Sequence, residues 1–218
     1  MNRSKFLSLA SLGFLGVFFF PKTRNENRLN ECSDPVTPAV PEGPFYKDEQ
    51  LNRVDIREHK AGIPITYIFI VEDEDCKPVE GAIVDIWQCD ASGHYSDYKA
   101  ENTLNETWLR GYQITGADGI CRFTSIFPGW YEGRITHLHG KVHLKGKTLL
   151  TTNFFFSKEI ENQVYASSFY PKGPNPIPIL RDYELRVDKD TRRHDALLMD
   201  VSKDGNGDLV ASYKVALV

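Results

Sequence analysis

Residues 128–143 have the sequence PGWYEGRITHLHGKVH, and the second half of this stretch determines the local fold. Residues 135–143 have an alternating pattern and are rich in residue types that favour β-structure, which predicts a β-strand. Residues two apart in a strand share a face at a spacing of about 6.6 Å, so His137 and His139 can turn both imidazoles toward one metal ion. His143 shares that face but lies roughly 13 Å from His139. We therefore expect two metal ligands from this strand, unless it bulges before His143.

Two tyrosines near this strand add a chemical constraint. Tyr131 precedes His137 by six residues, and Tyr95 ends the earlier stretch ASGHY at 91–95. A tyrosine hydroxyl has an ordinary pKa of about 10, so at neutral pH only a hard, highly charged cation holds it as a phenolate. Two tyrosines and two histidines therefore favour ferric iron over zinc, calcium or magnesium. The alternative is that both histidines are half-buried, hydrogen-bonded residues without a metal.

Several other stretches extend the pattern. They are TPAVPEGPFY at 37–46, GAIVDIWQCDASGHYSDY at 81–98, WLRGYQITGADGICRFTSIFPGWY at 108–131 and RITHLHGKVH at 134–143. In this order they resemble the intradiol ring-cleavage dioxygenases, non-haem ferric enzymes that open catechols between their two hydroxyls. The resemblance covers residues 37–156 and extends more loosely to the C-terminus. It implies an enzyme with an Fe(III) cofactor that uses O₂ and a catechol-type substrate, and that forms a muconate-type diacid.

The resemblance also implies a role for each metal ligand. Tyr95, Tyr131, His137 and His139 are expected to bind the iron, with a solvent hydroxide as the fifth ligand. Tyr131 is expected to leave the iron when the substrate arrives, which makes it a catalytic residue as well as a ligand. A catechol that binds through both oxygens must lose two protons, and the hydroxide and the released tyrosinate are the expected bases.

Arg134 matches an arginine of the family that stabilises negative charge on the substrate. Strict alternation places Arg134 on the strand face opposite His137, so this role requires the strand to begin after Arg134. The alternative is a structural salt bridge between Arg134 and a nearby acid such as Glu132.

Four more residues are expected to contribute to substrate binding: Gly43, Pro44, Tyr46 and Asn153. The segment with the first three is expected either at the pocket mouth or in an arm that covers the core. Asn153 stands where the family often has a glutamine. The link from Tyr131 to Arg134 is shorter than in the well-known catechol and protocatechuate enzymes, so the resemblance does not carry over a substrate identity.

Length and composition limit both architecture and function. The chain has 218 residues, which is enough for one sizeable domain. Its net charge is −4 and it has no basic block, so it lacks the cluster of positive charge that nucleic-acid binding requires. Apolar, β-branched runs punctuated by Gly and Pro predict an all-β chain, a single β-sandwich domain of the intradiol dioxygenase type with short helical turns. The predicted strands are 65–71, 82–89, 120–127, 148–156, 183–187, 196–201 and 209–218, with a helical turn at 159–164.

The first 20 residues predict an export signal or an N-terminal anchor. Arg3 and Lys5 precede an apolar run at 6–20, which is shorter than the ~20 residues that span a bilayer. We expect a linker at 21–36 and the catalytic domain at 37–218, exported to the periplasm or the cell exterior. Membrane attachment is expected only through an uncleaved N-terminal segment, and a homo-oligomer is left open.

The four cysteines fit an oxidising compartment. Cys32, Cys76, Cys89 and Cys121 can form two disulfides in any of three connectivities. The alternative is that they are free, buried thiols.

Two other functions remain open. The stretch CKPVEGAIVDI at 76–86 also resembles the opening of transthyretin-like and carboxypeptidase-regulatory-like sandwiches, which implies a non-catalytic binding module without iron. A zinc or ferrous enzyme can use His137, His139 and a carboxylate such as Glu132. The presence of both Tyr95 and Tyr131 favours the ferric enzyme over these two alternatives.

Overall fold

A computed structural model describes residues 35–186 and 189–218 of the chain. The strands are β1 Pro64–Glu72, β2 Ile83–Trp87, β3 Arg110–Ile114, β4 Ile120–Ile126, β5 His137–Leu144, β6 Lys147–Phe155, β7 Asp200–Lys203 and β8 Leu209–Ala216. The helices are α1 Lys158–Tyr165 and α2 Arg192–Ala196, with 3-10 turns at Lys99–Glu101 and Ile179–Arg181. The strands form two four-stranded sheets, ordered β4-β1-β8-β7 and β3-β2-β5-β6. None of the helices described is long and apolar enough to cross a membrane.

The core lies between the two sheets. Strand β1, with the sequence PITYIFIVE, buries every second residue, among them Ile65, Tyr67 and Phe69, because successive side chains of a strand point to opposite faces. Phe69 meets Phe154 of the second sheet with ring centroids 5.0 Å apart. Burying a side chain of this kind stabilises the fold by about 1.5–3 kcal/mol. The prediction of an all-β sandwich is confirmed.

On its other face, the second sheet carries one buried row of cross-strand neighbours. Trp87 of β2 pairs with Arg110 of β3 and with His139 of β5, and His139 pairs in turn with Asn153 of β6. The four side chains are all buried, with exposures between 0% and 2%. We call Arg110, Trp87, His139 and Asn153 the lateral row. It crosses all four strands, so the sheet itself fixes the relative positions of these residues.

The segment 37–46, which we call the arm, covers the lateral row. Its Val40 N–H donates to the carbonyl of Thr151 in β6 (3.0 Å), and its Glu42 forms an ion pair with Lys141 of β5. The arm is therefore fixed to the edge and to the middle of the second sheet. It turns that face into a covered site rather than an open surface.

The predicted strand at 183–187 is wrong for its described residues, 183–186, which form turns. The carboxylate of Asp182 accepts hydrogen bonds from the backbone N–H groups of Glu184 (2.8 Å) and Leu185 (3.2 Å). An aspartate that binds the backbone just after it in the chain stabilises a turn. These bonds use the backbone donors that a sheet would need.

The predicted strand at 196–201 is also largely wrong. Helix α2 ends at Ala196, and β7 begins only at Asp200. The N–H of Leu197 donates to the carbonyl of His194 (3.0 Å), so this part of the backbone is turned back on itself. The helical turn predicted at 159–164 is confirmed as α1, where the Ser157 hydroxyl accepts from the Ile160 N–H (3.3 Å).

The cysteines do not form two disulfides. Cys76 is disulfide-bonded, whereas Cys89 and Cys121 are free, buried thiols. The free-thiol alternative therefore holds for these two. Cys32, the predicted signal at 1–20 and most of the predicted linker at 21–36 lie outside the described residues.

Candidate metal centre

The two histidines converge at the start of β5. The strand begins at His137, and the Nε2 atoms of His137 and His139 lie 3.0 Å apart. The two side chains are 2% and 0% exposed. Nδ1 of His137 donates to the backbone carbonyl of Ile135 (2.6 Å), which leaves the lone pair of its Nε2 free to bind a cation.

Both imidazoles are neutral in this setting. Burial lowers the pKa of His137, and the positive charge of Arg134 lowers it further. Burial, the neighbouring His137 and the charge of Arg134 likewise lower the pKa of His139. A neutral imidazole is the form that binds metals, and His137, whose Nδ1 faces a carbonyl, presents the lone pair of its Nε2 in that form.

His143 does not join the pair. The pairing of β5 with β6 does shift register between Val142 and His143, but Nδ1 of His143 is hydrogen-bonded to the Thr148 hydroxyl (3.0 Å) and not directed to the other two histidines. The strand therefore contributes two histidines to the site.

Two tyrosines complete the donor group. The Tyr131 hydroxyl lies 3.2 Å from Nε2 of His137, and the Tyr95 ring lies 5.7 Å from the Tyr131 ring and 6.1 Å from the His139 ring, centroid to centroid. The Tyr95 hydroxyl is buried and has no hydrogen-bond partner among the described residues. A buried hydroxyl without a partner is costly, and a bound cation would satisfy it.

Burial raises the pKa of both tyrosines. The neighbouring Tyr131 raises the pKa of Tyr95 further, whereas the guanidinium of Arg134 partly offsets the rise in the pKa of Tyr131. Both groups are therefore neutral phenols in the protein by itself. A highly charged cation would have to supply the charge that holds them as phenolates.

Close backbone packing brings the two tyrosines together. A Cβ added to Gly93, two residues before Tyr95, would lie 2.2 Å from the carbonyl oxygen of Trp130. A Cβ added to Gly129 would lie 2.4 Å from the carbonyl oxygen of Asp90. Only glycine fits at these two positions, so the loop with Tyr95 and the turn with Tyr131 can touch.

Arg134 lies in the turn before β5, so the alternation of the strand does not apply to it. Its Nε donates to both carboxylate oxygens of Asp182 (2.9 and 3.1 Å), and its Nη2 donates to Oδ1 of Asn153 (2.6 Å). The acid beside Arg134 is thus Asp182 and not Glu132, which is exposed. Sequence reasoning missed Asp182, because nothing in the pattern links a turn residue to an arginine 48 positions earlier.

Asn153 holds two site residues at once. While its Oδ1 accepts from Arg134, its Nδ2 is hydrogen-bonded to Nδ1 of His139 (2.8 Å). Asn153 is fully buried, so its amide orients the arginine and the imidazole. This places Asn153 behind the donor group and supports a positioning role rather than the predicted contact with substrate.

The arm covers the donor group from the other side. A Cβ added to Gly43 would lie 3.6 Å from Cε1 of His139, so the arm passes directly over that ring, while Pro44 is exposed in the adjoining turn. The ring of Phe45 stacks on Tyr95, with centroids 4.0 Å apart and planes at 6°. It also meets the edge of Tyr131 at 5.5 Å. Phe45 was not predicted, since an apolar residue in a coil carries no chemical signal.

Tyr46 is one layer further out. Its hydroxyl donates to Oδ2 of Asp85 (3.1 Å), and its ring packs against Trp87 at 4.8 Å. Trp87 in turn stacks on the imidazole of His139, with centroids 4.8 Å apart and planes at 3°. Tyr46 therefore supports the site through Trp87, as part of a covering arm.

The donor set fits a hard, highly charged cation. The buried Tyr95 oxygen and the half-buried Tyr131 oxygen lie with two neutral imidazoles, and the Tyr95 oxygen has no hydrogen-bond partner in the part of the chain that the structure describes. Within the described residues, no group of three His, Cys, Asp or Glu side chains could hold a metal. A zinc or ferrous site that combines the histidines with a carboxylate has no support in this geometry, and the tyrosines are the remaining donors.

Comparison with known proteins gives a consistent result. The model of a family described as dioxygenase matches residues 38–148, a range that contains all of the arm but its first residue, both tyrosines, Arg134 and both histidines. Catechol 1,2-dioxygenase 1 of Acinetobacter lwoffii is 29% identical over 132 residues, which is 56% of this chain and 42% of the relative. The 6-chlorohydroxyquinol 1,2-dioxygenase of Cupriavidus pinatubonensis is 28% identical over 175 residues, 71% of this chain and 60% of the relative. The matched part is thus about half the length of these relatives.

Solved structures share the fold over more of their length. An intradiol ring-cleavage dioxygenase from Tetranychus urticae is 26% identical, with a TM-score of 0.74 over 84% of this chain and 94% of that chain. The dioxygenase domain of a dioxygenase carbohydrate-binding protein fusion from Streptomyces sp. SirexAA-E is 29% identical, with a TM-score of 0.60 over 84% of this chain and 98% of that domain.

Proposed function

The chain belongs to the intradiol ring-cleavage dioxygenase family, and on that premise we propose that it is a non-haem Fe(III) enzyme that opens a catechol-type ring between its two hydroxyl carbons. Both atoms of O₂ enter the product, a muconate-type diacid. The observation that carries the proposal is the convergence of Tyr131 with the buried Tyr95, His137 and His139.

Iron(III) held by these four side chains would supply the charge that favours ionised catechol oxygens and draws electron density from the ring. The protein residues provide the surroundings. The ring of Phe45 packs against both tyrosines, and Trp87 stacks on His139, so apolar rings shield these donors from solvent. A dry, preorganised site strengthens every electrostatic interaction inside it.

Tyr131 is placed to move a proton. A catechol must lose two protons to bind through both oxygens, and the phenolate oxygen of Tyr131 can accept one of them. Burial raises the pKa of Tyr131 above its ordinary value of 10.0. A Tyr131 phenolate released from a cation in this environment is therefore a stronger base than an ordinary phenolate, which supports Tyr131 as the acceptor of one of these protons.

Arg134 supplies a fixed positive charge next to the donor group. Asp182 and Asn153 hold its guanidinium from two sides, so it does not have to reorganise when negative charge develops on the substrate. This supports the role expected for Arg134, and it assigns Asp182 and Asn153 to the positioning of that charge.

The binding-module alternative is less favoured. A sandwich that only binds a partner has no need for two tyrosines and two histidines gathered around one point, with a buried Tyr95 hydroxyl that has no hydrogen-bond partner within residues 35–186 and 189–218. We further propose that the protein is exported, which the disulfide at Cys76 supports, because disulfides persist in oxidising compartments.

An absorption spectrum with metal analysis tests the proposal. Aerobically purified protein is expected to contain iron and to be red-brown from phenolate-to-iron charge transfer. Anaerobic catechol should shift the band, and Tyr95→Phe should weaken it. Tyr98→Phe is the matched control, because Tyr98 also contacts Phe45 (4.8 Å) but is not among the four donors. Protein that stays colourless after reconstitution with iron would contradict the proposal.

A further inference from the structure

Arg110 is a buried cation without a carboxylate partner. Its side chain is 2% exposed, and it forms no ion pair within residues 35–186 and 189–218. Its Nε donates to the Ser96 hydroxyl (2.7 Å), its Nη2 to the Ser96 carbonyl (2.6 Å) and its Nη1 to the Phe45 carbonyl (2.6 Å). Burying a charge among neutral acceptors is costly, so a hydrophobic residue would serve better if packing were the only requirement here.

The three acceptors belong to the residue that follows Tyr95 and to the residue whose ring covers Tyr95. Ser96 follows Tyr95 in the chain, and Phe45 carries the ring that stacks on Tyr95 at 4.0 Å. The guanidinium carbon of Arg110 itself lies 6.0 Å from the centroid of the Tyr95 ring. One planar, five-donor group thus fixes the backbone beside Tyr95 and the backbone of the residue that covers it.

The position of Arg110 in the sheet connects Tyr95 to the histidines. Arg110 is the first residue of the lateral row, where it pairs with Trp87, and Trp87 pairs with His139 and stacks on its ring. Tyr95 lies in a loop, and loops are less rigid than strands. The row therefore ties the loop with one donor to the strand with another.

We propose that Arg110 is a positioning residue that holds Tyr95 at a fixed distance from His139. That Tyr95 binds iron rests on the proposed function. The hydrogen bonds by which Arg110 fixes the loop with Tyr95 do not depend on iron. Arg110 does not touch the reacting groups. It acts through Ser96, Phe45 and the sheet.

Arg110→Gln tests the proposal with two measurements. Hydrogen–deuterium exchange of the amides at 94–98 is expected to accelerate at least tenfold in the iron-free protein. In the iron-loaded protein, the phenolate-to-iron band is expected to shift or weaken. Arg110→Lys keeps the positive charge but loses the planar group of five donors, so it should preserve the wild-type exchange and the wild-type band only in part.

Arg53→Gln is the matched control. Arg53 donates to the carbonyl of Arg110 (2.9 Å) and to that of Thr107, so it supports the same region without contacting Ser96 or Phe45. We expect this variant to lower the melting temperature but to leave the exchange at 94–98 and the band unchanged.

A purely structural Arg110 would give a different result. The proposal is overturned if Arg110→Gln lowers only the melting temperature and keeps the wild-type exchange at 94–98 and the wild-type band. If Arg110→Gln does not fold, Ser96→Ala takes its place, because it removes one acceptor and keeps the cation. Wild-type exchange at 94–98 and a wild-type band in Ser96→Ala would also overturn the proposal. Wild-type protein that binds no ferric iron would refute the proposed function alone, and the exchange at 94–98 would then decide the role of Arg110.

Discussion

The guanidinium of Arg134 and the carboxylate of Asp182 form a buried ion pair, with Nε 2.9 Å from Oδ2 and side-chain exposures of 4% and 0%. The same carboxylate also accepts from the backbone N–H of Ile135 (2.8 Å), just before β5. Asp182 thus fixes both the charge that faces the site and the backbone that leads into the histidine pair. Two segments far apart in the chain are joined at this one residue.

Asp182→Ala is expected to destabilise the fold strongly. Removing one partner leaves the Arg134 charge buried and uncompensated, which costs about 3–5 kcal/mol. Urea unfolding of the iron-free protein would measure the change in the free energy of unfolding. Asp55→Ala is the control, because Asp55 pairs with Arg57 at the surface, with exposures of 52% and 38%, and such pairs contribute about 0–1 kcal/mol. Equal losses for the two variants would contradict this account of Asp182.

Asn153→Ala is expected to weaken iron binding more than folding. The substitution removes the amide that joins Arg134 to His139, and loss of a partner that orients a metal ligand typically costs 10–100-fold in affinity. Competition with a chelator would measure the iron dissociation constant. Thr151→Ala is the control on the same strand, since Thr151 pairs with Lys141 and not with the histidines. An unchanged dissociation constant in Asn153→Ala would speak against the positioning role.

The sequence was sufficient for the residues that carry a chemical signal. The spacing of His137 and His139 predicted that both rings share a face, and the chemistry of the tyrosine hydroxyl singled out Tyr95 and Tyr131 as their companions before the resemblance assigned their roles. The structure brings all four together. It also places Arg134 in a turn before the strand, which meets the condition set for its role.

The residues that hold the site could not be predicted in the same way. Asp182 and Phe45 act across turns and coils, where no periodicity links them to their partners. Strand β3 was missed because its sequence, RGYQI, is short and largely polar, although its Arg110 begins the lateral row. A row that crosses strands becomes visible only when the register of the sheet is known.

Phe45→Ala is expected to speed the binding of catechol. The Phe45 ring covers Tyr95 and Tyr131, while Arg110 holds the Phe45 carbonyl, so access to the donor group requires the side chain to rotate rather than the arm to open. Stopped-flow absorption after anaerobic mixing of the iron-loaded protein with catechol would measure the rate. Phe169→Ala is the control, as that ring is 48% exposed. A binding rate equal to or below that of wild type would refute the covering role.

Asp85 is expected to make stability depend on pH. Burial raises the pKa of Asp85 to about 7 from an ordinary value of 3.8, and the hydrogen bond from Tyr46 only partly opposes the shift. Between these two values the folded protein binds the proton and the unfolded chain does not. The contribution of Asp85 to stability therefore falls as pH rises through this window, by about 1.4 kcal/mol per pH unit at most, and it stays low above the folded pKa.

Asp85→Asn, a neutral side chain of the same shape, should remove this dependence. We expect the variant to be more stable than wild type at pH 8 by a few kcal/mol, because it avoids a buried charge, and we expect the difference to shrink markedly at pH 5, where wild-type Asp85 is protonated in the fold. Urea unfolding of iron-free protein at both pH values would measure it. Asp208→Asn is the control, at an exposed position, and it should change the free energy of unfolding only slightly at either pH. A difference between Asp85→Asn and wild type that does not change with pH would mean that Asp85 stays charged in the folded protein.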